Sequence, residues 1–279
     1  MRNKIKQILL IAWTNSITWI RSPRIWYVIL VTSVFCFGTF HELKIQLNNH
    51  QWTINPFESF LIVASNQTLL TGTLFLIFIS EIPPKTGFHC YQWIRTTRSR
   101  WAYGCVLYCL CMVLFMIFLL TIISLINTLD VIQWTISWTD NTRLTEGIPD
   151  SLAIIPDYIR SRYSPVGSYF AFVLLTGNYW LMLALIVLFF SFLQRPQYGL
   201  SIVMILQLLP WIINTFVSYD TPHWFPIYFA DINLLQYKTS GLDTFWCCVC
   251  IFMLINVTIT IAIHFFIRKA PLLSDTVYK

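Results

Sequence analysis

The sequence predicts an all-α integral membrane protein with six transmembrane helices, and its composition is the first reason. Of the 279 residues, 57% are hydrophobic and only 11% are charged, whereas a soluble domain carries about 25% charged residues. The chain also contains 22 Phe, 13 Tyr and 12 Trp, and aromatic residues concentrate in apolar spans and at membrane interfaces. This composition argues against a soluble enzyme and against a nucleic-acid-binding protein.

Six apolar stretches have about the length that a helix needs to cross the hydrocarbon of a bilayer, which is roughly 20 residues for ~30 Å. The predicted spans are residues 25–41, 60–81, 102–127, 167–193, 199–219 and 244–267. The fifth contains Pro210, which removes one backbone hydrogen bond and predicts a kink. Together the spans predict one transmembrane domain over residues 25–268.

The distribution of Lys and Arg predicts the orientation of the spans. With six spans, 13 of the 18 basic residues fall on one side with two acidic residues, and five fall on the other side with ten acidic residues. The positive-inside rule assigns the first side to the cytoplasm, together with both termini and the 269–279 tail. A missed span would mix the two groups, so the separation also favours the number six.

The N-terminal segment, residues 1–24, predicts an amphipathic helix that lies in the cytoplasmic membrane interface. Apolar residues recur there at three- and four-residue spacing, with Lys4, Lys6 and Gln7 between them. Trp13, Trp19 and Trp26 are expected to anchor it among the headgroups. The alternative, an N-terminal extension of the first span, remains open.

Two connections on the acidic side have distinct compositions. The 128–166 loop is the longest, has a mixed composition with more acidic than basic residues, and contains three prolines. The 220–243 loop carries Trp224, Phe225, Tyr228 and Phe229, and we expect this aromatic segment to re-enter the outer leaflet.

The eight cysteines fall mostly inside apolar runs. Cys105 and Cys109 lie one helical turn apart and could face a metal together. Because cysteine more often packs as a small buried hydrophobe, we predict no metal site.

The cytoplasmic loop, residues 82–101, combines aromatic and basic residues in a pattern typical of a protein-binding segment. Pro83 and Pro84 end the second span, and the apolar residues that follow recur at three-residue intervals, which favours a short helix. The candidate contact residues are Phe88, Tyr91, Ile94, Arg95, Arg98 and Arg100. The alternative is a basic collar that only satisfies the positive-inside rule.

The stretch Ile94-Arg95-Thr96-Thr97-Arg98-Ser99-Arg100-Trp101, after Ser80-Glu81-Ile82-Pro83, is similar to a loop of bacterial permeases. With the predicted layout, the chain resembles the permease (transmembrane) subunit of a type II ATP-binding-cassette (ABC) exporter. The resemblance implies a bacterial cytoplasmic membrane, and a coupling loop that docks into a groove of an ATPase subunit. It also implies a homodimer, or a heterodimer with a related permease.

The chain lacks the G-x-x-x-x-G-K-[ST] motif that cradles nucleotide phosphates, since none of its seven lysines follows a glycine. The resemblance therefore implies a separate P-loop ATPase that binds ATP and Mg²⁺, and no cofactor in this chain. An intramembrane zinc protease would need H-E-x-x-H, but His41-Glu42 is followed by Ile45 where the second His belongs. We expect a transport subunit that is not itself an enzyme.

Uncharged polar residues inside the spans are candidates for the translocation path, because polar groups at bilayer depth are costly and often functional. They are Asn66, Gln67, Thr68, Asn178, Gln207, Asn214 and Asn256. The alternative is hydrogen bonding between helices of one bundle. No acidic or basic residue lies at mid-depth, which argues against a proton-driven pump.

The sequence favours an amphiphilic substrate, a peptide or a lipid-like molecule, over a small ion. A different class of function also fits the same features. The chain could be a non-transporting membrane immunity, sensor or assembly protein that binds a peptide or partner through its outer loops.

Overall fold

Helices make up most of the computed structural model, which describes residues 2–50, 53–66, 68–83, 96–135, 137–139, 157–217, 225–230 and 242–269. The ten helices of this part of the chain are α1 (Arg2–Ile20), α2 (Pro23–His50), α3 (Pro56–Asn66), α4 (Thr68–Ile79), α5 (Arg98–Thr128), α6 (Asp157–Arg162), α7 (Pro165–Phe192), α8 (Pro196–Val217), α9 (Pro226–Ala230) and α10 (Leu242–Lys269). Within those described ranges there is no β-strand.

Four of these helices are long and apolar enough to cross a membrane. They are α2 over Pro23–Ile45, α5, α7, and α10 over Phe245–Arg268. The prediction of a helical chain with helices long and apolar enough to span a membrane is therefore confirmed for the described residues. The second predicted span corresponds to α3 and α4, and the fifth to α8, in which the helix continues on both sides of Pro210. The number six stays a prediction.

Helix α2 extends beyond the predicted end of the first span at residue 41. Its buried side chains continue past that point with Leu43 and Leu47, one turn apart, after Cys36 and Phe40. The predicted end was too early because it was placed where the uniformly apolar run stops. The packed face of the helix continues beyond that run.

One end of the helix bundle is basic. There the start of α2 meets the end of α4, where Arg24 Nη2 lies 2.6 Å from Glu81 Oε1. The start of α5 meets the end of α7, with 5.0 Å between the ring centroids of Trp101 and Phe192. We call this region the basic end. Its described basic residues include Lys4, Lys6, Arg21, Arg24, Arg98, Arg100, Arg195 and Arg268.

The opposite end, which we call the acidic end, joins the end of α2 to the end of α5. Lys44 Nζ lies 2.7 Å from Asp130 Oδ1, and this contact holds the pKa of Asp130 below its usual range. The start of α7 is here too, since Trp138 Nε1 donates to the Tyr163 carbonyl at 2.7 Å. Helices α2 and α5 therefore both run from the basic end to the acidic end, and α7 runs in the opposite direction.

Helix α7 lies at the centre of the bundle and contacts α3, α4, α5, α8, α9 and α10. Its start is capped by Ser164, whose hydroxyl accepts from Gly167 N at 3.1 Å, and Pro165 occupies the first helical position. Trp180 and Leu183 are almost completely buried. This central position makes α7 the helix through which most of the others are connected.

Helix α1 packs lengthwise against the first half of α5. Gly104 permits this contact, because a Cβ there would lie 2.7 Å from Ile11 Cβ and 3.3 Å from the Ile8 carbonyl oxygen. Trp19 is buried against the rings of Phe78, Tyr108 and Phe115. Trp19 is therefore a core residue, and its expected role as a headgroup anchor is wrong. Trp13 and Trp26, by contrast, are 65% and 66% exposed. The interfacial placement of residues 1–24 stays a prediction.

Candidate functional site

Three of the predicted path residues lie near the midpoints of their helices, Asn178 in α7, Gln207 in α8 and Asn256 in α10. Each of the three therefore lies about halfway along its own helix. The contacts of each amide decide whether it is available to a substrate or is used between helices.

Asn256 is paired with Asn178 across the contact of α10 with α7. Its Nδ2 donates to the Asn178 main-chain carbonyl at 3.0 Å and lies 3.4 Å from Asn178 Oδ1. Asn178 Nδ2 in turn donates to the Leu174 carbonyl at 2.7 Å. Asn256 Oδ1 is buried and has no hydrogen-bond partner among the described residues. The pair links α7 to α10 near the midpoints of both helices, and Asn256 Oδ1 is the acceptor that it does not use.

Gln207 binds α7 at Tyr179, which is about 100° around the helix from Asn178. Its Oε1 accepts from the Tyr179 hydroxyl at 2.9 Å, and both side chains are completely buried. Gly72 of α4 lies directly against the Gln207 amide, so that any Cβ at residue 72 would overlap it. This contact joins α4, α7 and α8.

Helix α9 also reaches this depth. The Thr176 hydroxyl of α7 donates to the Ala230 carbonyl at 3.1 Å, and Ala230 is fully buried. Thr176 lies about 16 Å along α7 from the start of that helix at Pro165, at 1.5 Å per residue. This contact is what a re-entrant 220–243 loop would make, although re-entry itself stays a prediction.

The three predicted path residues whose side chains are described do not all meet at one point. Asn178 and Asn256 contact each other, and Gln207 lies on another face of α7. Gln67 lies outside the described residues, and the side chains of Asn66, Thr68 and Asn214 are not described either. In each of the three amides that are described, one side-chain polar atom is used in a hydrogen bond between helices, namely Asn178 Oδ1, Asn256 Nδ2 and Gln207 Oε1.

The predicted contact residues of the cytoplasmic loop are described only in part. Phe88, Tyr91, Ile94 and Arg95 lie outside the described residues. Arg98 and Arg100 are in the first turn of α5. There Arg100 Nη1 donates to Gln7 Oε1 of α1 at 2.6 Å.

Both ends of the predicted cytoplasmic loop, residues 82–101, are attached to other helices. At its start, Arg24 of α2 contacts Glu81 and donates from Nη1 to Ser80 Oγ at 2.6 Å. Ser191 Oγ of α7 donates to the Ile82 carbonyl, also at 2.6 Å. At its end, Trp101 packs on Phe192 of α7. Helices α1, α2 and α7 therefore contact the two ends of this loop.

A buried carboxylate at the acidic end was not among the predicted sites. Glu58 has no exposed surface. Its Oε1 accepts from Thr139 N at 2.7 Å, and its Oε2 accepts from Thr139 Oγ1 at 2.6 Å and from Asn55 N at 3.0 Å. Ile54 meanwhile exchanges main-chain hydrogen bonds with Val131 and Gln133, both at 3.0 Å. Glu58 thus fastens the segment after α2 to the segment after α5.

Burial raises the pKa of Glu58, while its hydrogen bonds and the charge of Arg160 offset part of that rise. Part of this cluster could be predicted from the sequence. Asn55-Pro56-Phe57-Glu58 is a capping box, in which Asn55 Oδ1 accepts from Phe57 N at 3.0 Å and Glu58 reaches back to Asn55 N. Thr139 is too distant in sequence for any local pattern to indicate it.

Cys105 and Cys109 are both buried, and Cys105 Sγ lies 3.9 Å from Asn15 Nδ2 of α1. Within the described ranges, no three His, Cys, Asp or Glu side chains are grouped as metal ligands would be.

No protein family model matches this chain, and no curated protein or solved structure is significantly similar to it.

Proposed function

We propose that this chain is the transmembrane permease subunit of an ABC exporter in a bacterial cytoplasmic membrane, driven by a separate P-loop ATPase. Six spans cross the membrane, both termini are cytoplasmic, and residues 82–101 form the coupling loop. The exported substrate is amphiphilic, a peptide or a lipid-like molecule. A second permease chain, identical or related, completes the path.

The observation that carries the proposal is the attachment of both ends of the loop to the bundle. Ser80, Glu81 and Ile82 contact α2 and α7, and Arg100 and Trp101 contact α1 and α7. A loop anchored in this way transmits a push from a docked partner to several helices, because packed elements move as units. A basic collar without a partner would not need such attachments.

The helix arrangement supports six spans. The segments on either side of residue 67, α3 and α4, together have the length of one span, and α8 has 22 residues. With the four long apolar helices, these give an even number of crossings. The basic end then faces the cytoplasm by the positive-inside rule.

The proposed mechanism begins when ATP closes the partner ATPase dimer and displaces the loop. The displacement moves α2 and α7. Because the Thr176 hydroxyl of α7 donates to the Ala230 carbonyl, the movement of α7 also moves α9. The paired amides of α7, α8 and α10 keep those helices together during the movement.

The first test is purification of the tagged chain from native membranes in mild detergent, with its genomic neighbours expressed. We expect a stoichiometric P-loop protein and ATPase activity in the preparation. A clean preparation without such a partner would contradict the transporter and favour an immunity, sensor or assembly protein.

The second test is the double variant Arg95→Glu and Arg98→Glu. We expect it to insert normally but to uncouple ATP hydrolysis from transport, because acidic residues reverse the charge that faces the partner. The matched control, Lys4→Glu and Lys6→Glu, makes the same change of charge at the same end on the exposed part of α1. Normal transport by the loop variant would remove the coupling role.

A further inference from the structure

The last turn of α7 holds both ends of the cytoplasmic loop at one place. Ser191 Oγ lies 2.6 Å from the Ile82 carbonyl oxygen and 2.8 Å from the Val187 carbonyl oxygen of its own helix, and it shares its one proton between them. The ring of the adjacent Phe192 packs at 5.0 Å on Trp101. Ile82 and Trp101 are both buried, at 3% and 5% exposure. The described chain on either side of residues 84–95 is therefore held at two neighbouring residues of one helix.

The backbone of that turn is itself fixed. Arg195 N donates to the Phe190 carbonyl at 2.9 Å and Gln194 N to the Ser191 carbonyl at 3.1 Å, the two hydrogen bonds of a Schellman motif. Gln194 has the left-handed φ of 59° that this motif requires. Gly199 then lets α8 pack closely, since a Cβ there would lie 2.8 Å from Phe190 Cβ.

The other attachments of the loop are weaker. The Arg24 and Glu81 side chains are 42% and 46% exposed, and ion pairs with that much water around them contribute little to stability. The Arg100–Gln7 hydrogen bond joins two long side chains that are only partly buried. The contacts with α7 hold Ile82 and Trp101, which are both buried, so displacing them exposes buried groups to water.

We propose that Ser191 and Phe192 form the seat of the coupling loop and set the position in which it meets its partner. They are positioning residues, which act through Ile82 and Trp101. The inference rests on the proposed function for the identity of the partner, but the seat itself does not depend on it. Loss of the contacts that Ser191 and Phe192 make frees both ends of the loop together, because one turn of α7 holds them both.

The test is trypsin cleavage of the purified full-length chain in detergent, followed at Lys85 and Arg98 by mass spectrometry. For the double variant Ser191→Ala with Phe192→Ala, we expect cleavage at both residues to be roughly tenfold faster, since protease attack reports the population of locally opened chain. Cleavage after Arg162, at the acidic end, should keep its wild-type rate and so reports an intact fold.

The matched control is Ser201→Ala with Phe216→Ala, which removes the same groups from exposed positions of α8. Ser191→Ala alone is the milder variant, and Ser191→Thr, which keeps the hydroxyl, should restore protection. Unchanged cleavage at Lys85 and Arg98 in both Ser191→Ala variants would overturn the seat. A wild-type preparation without an ATPase would contradict the proposed function and leave this result valid. If the ATPase is present, the double variant should retain it and lose transport-coupled hydrolysis.

Discussion

At the scale of single residues, Gln194 occupies a position that glycine fills in most helix ends of this kind. Its φ of 59° lies in the left-handed region, where a side chain costs about 1–2 kcal/mol. We expect Gln194→Gly to raise the free energy of unfolding by about 1 kcal/mol, the gain being reduced by the extra freedom of glycine in the unfolded chain. Thermal unfolding in detergent measures the change.

The matched variant is Gln194→Val, whose branched side chain tolerates this φ least. It should unfold at a lower temperature than the wild type. If the glycine and valine variants were equally stable, the left-handed end of α7 would be wrong.

Glu58 makes stability depend on pH. Because burial raises its pKa in the folded chain, folding favours the protonated carboxyl. That contribution is complete below the ordinary pKa of Glu, about 4.3, and is lost as the pH rises through the folded pKa. We therefore expect the unfolding temperature to fall with rising pH above that value, and Glu58→Gln to remove this part of the slope.

The comparison needs the difference between wild type and variant across a pH series in the same detergent. Asp130 acts in the opposite direction and at lower pH, because Lys44 lowers its pKa, and it is the same in both proteins. An identical slope for wild type and Glu58→Gln would show that Glu58 does not titrate in this range.

Residues near one another in sequence were predictable at this scale, and distant partners were not. The capping box of Asn55 and Glu58 is a local pattern, whereas the contact of Glu58 with Thr139 arises only when two loops meet. The amides of Asn178 and Asn256 were recognised as special because they are polar inside apolar spans. That they bind each other depends on helix packing, which no local pattern encodes.

At the scale of elements, α1 depends on the glycine it packs against. Gly104→Val would place side-chain atoms where Ile11 and the Ile8 carbonyl now lie. Overpacking of this kind costs about 1–3 kcal/mol, and we expect α1 to move away from α5. Cys105, which is buried beside Asn15 of α1, should then react with a maleimide, as peptide mapping would detect.

Gly38→Val is the control for this substitution, because a Cβ at residue 38 meets nothing within 4 Å. It should leave the labelling of Cys105 unchanged. Labelling of Cys105 that stayed at the wild-type level in Gly104→Val would mean that α1 does not cover it.

The existence of α1 and of the long apolar helices followed from periodicity and hydrophobicity, but their limits and contacts did not. Helix α2 outlasts its apolar run because Leu43 and Leu47 remain on its packed face. An interfacial helix and one that packs along α5 have similar amphipathic patterns. Trp19 fits either, and only tertiary contact assigns it to the core.

At the scale of the whole molecule, the separation of charges along the sequence matches a separation of helix ends in space. Arg24 and Glu81 mark one end, and Lys44 and Asp130 mark the other. The sequence could predict this division because loop charges follow from the positive-inside rule, which acts during insertion. It could not predict that α7 would be central, since its composition resembles that of the other apolar helices.

The final prediction concerns the orientation of the helix bundle in the membrane. Trp134 at the acidic end is 73% exposed, and Tyr198 at the basic end is 58% exposed. In a Cys90→Ser background, we expect Trp134→Cys to react in intact cells with a maleimide that cannot cross the membrane. Tyr198→Cys should react only after the membrane is opened, because the positive-inside rule assigns the basic end to the cytoplasm. The Cys90→Ser chain alone gives the background of the native thiols, which lie in apolar helices. Labelling of both variants in intact cells, or of Tyr198→Cys alone, would contradict the predicted topology. It would also remove the cytoplasmic docking site on which the proposed exporter depends.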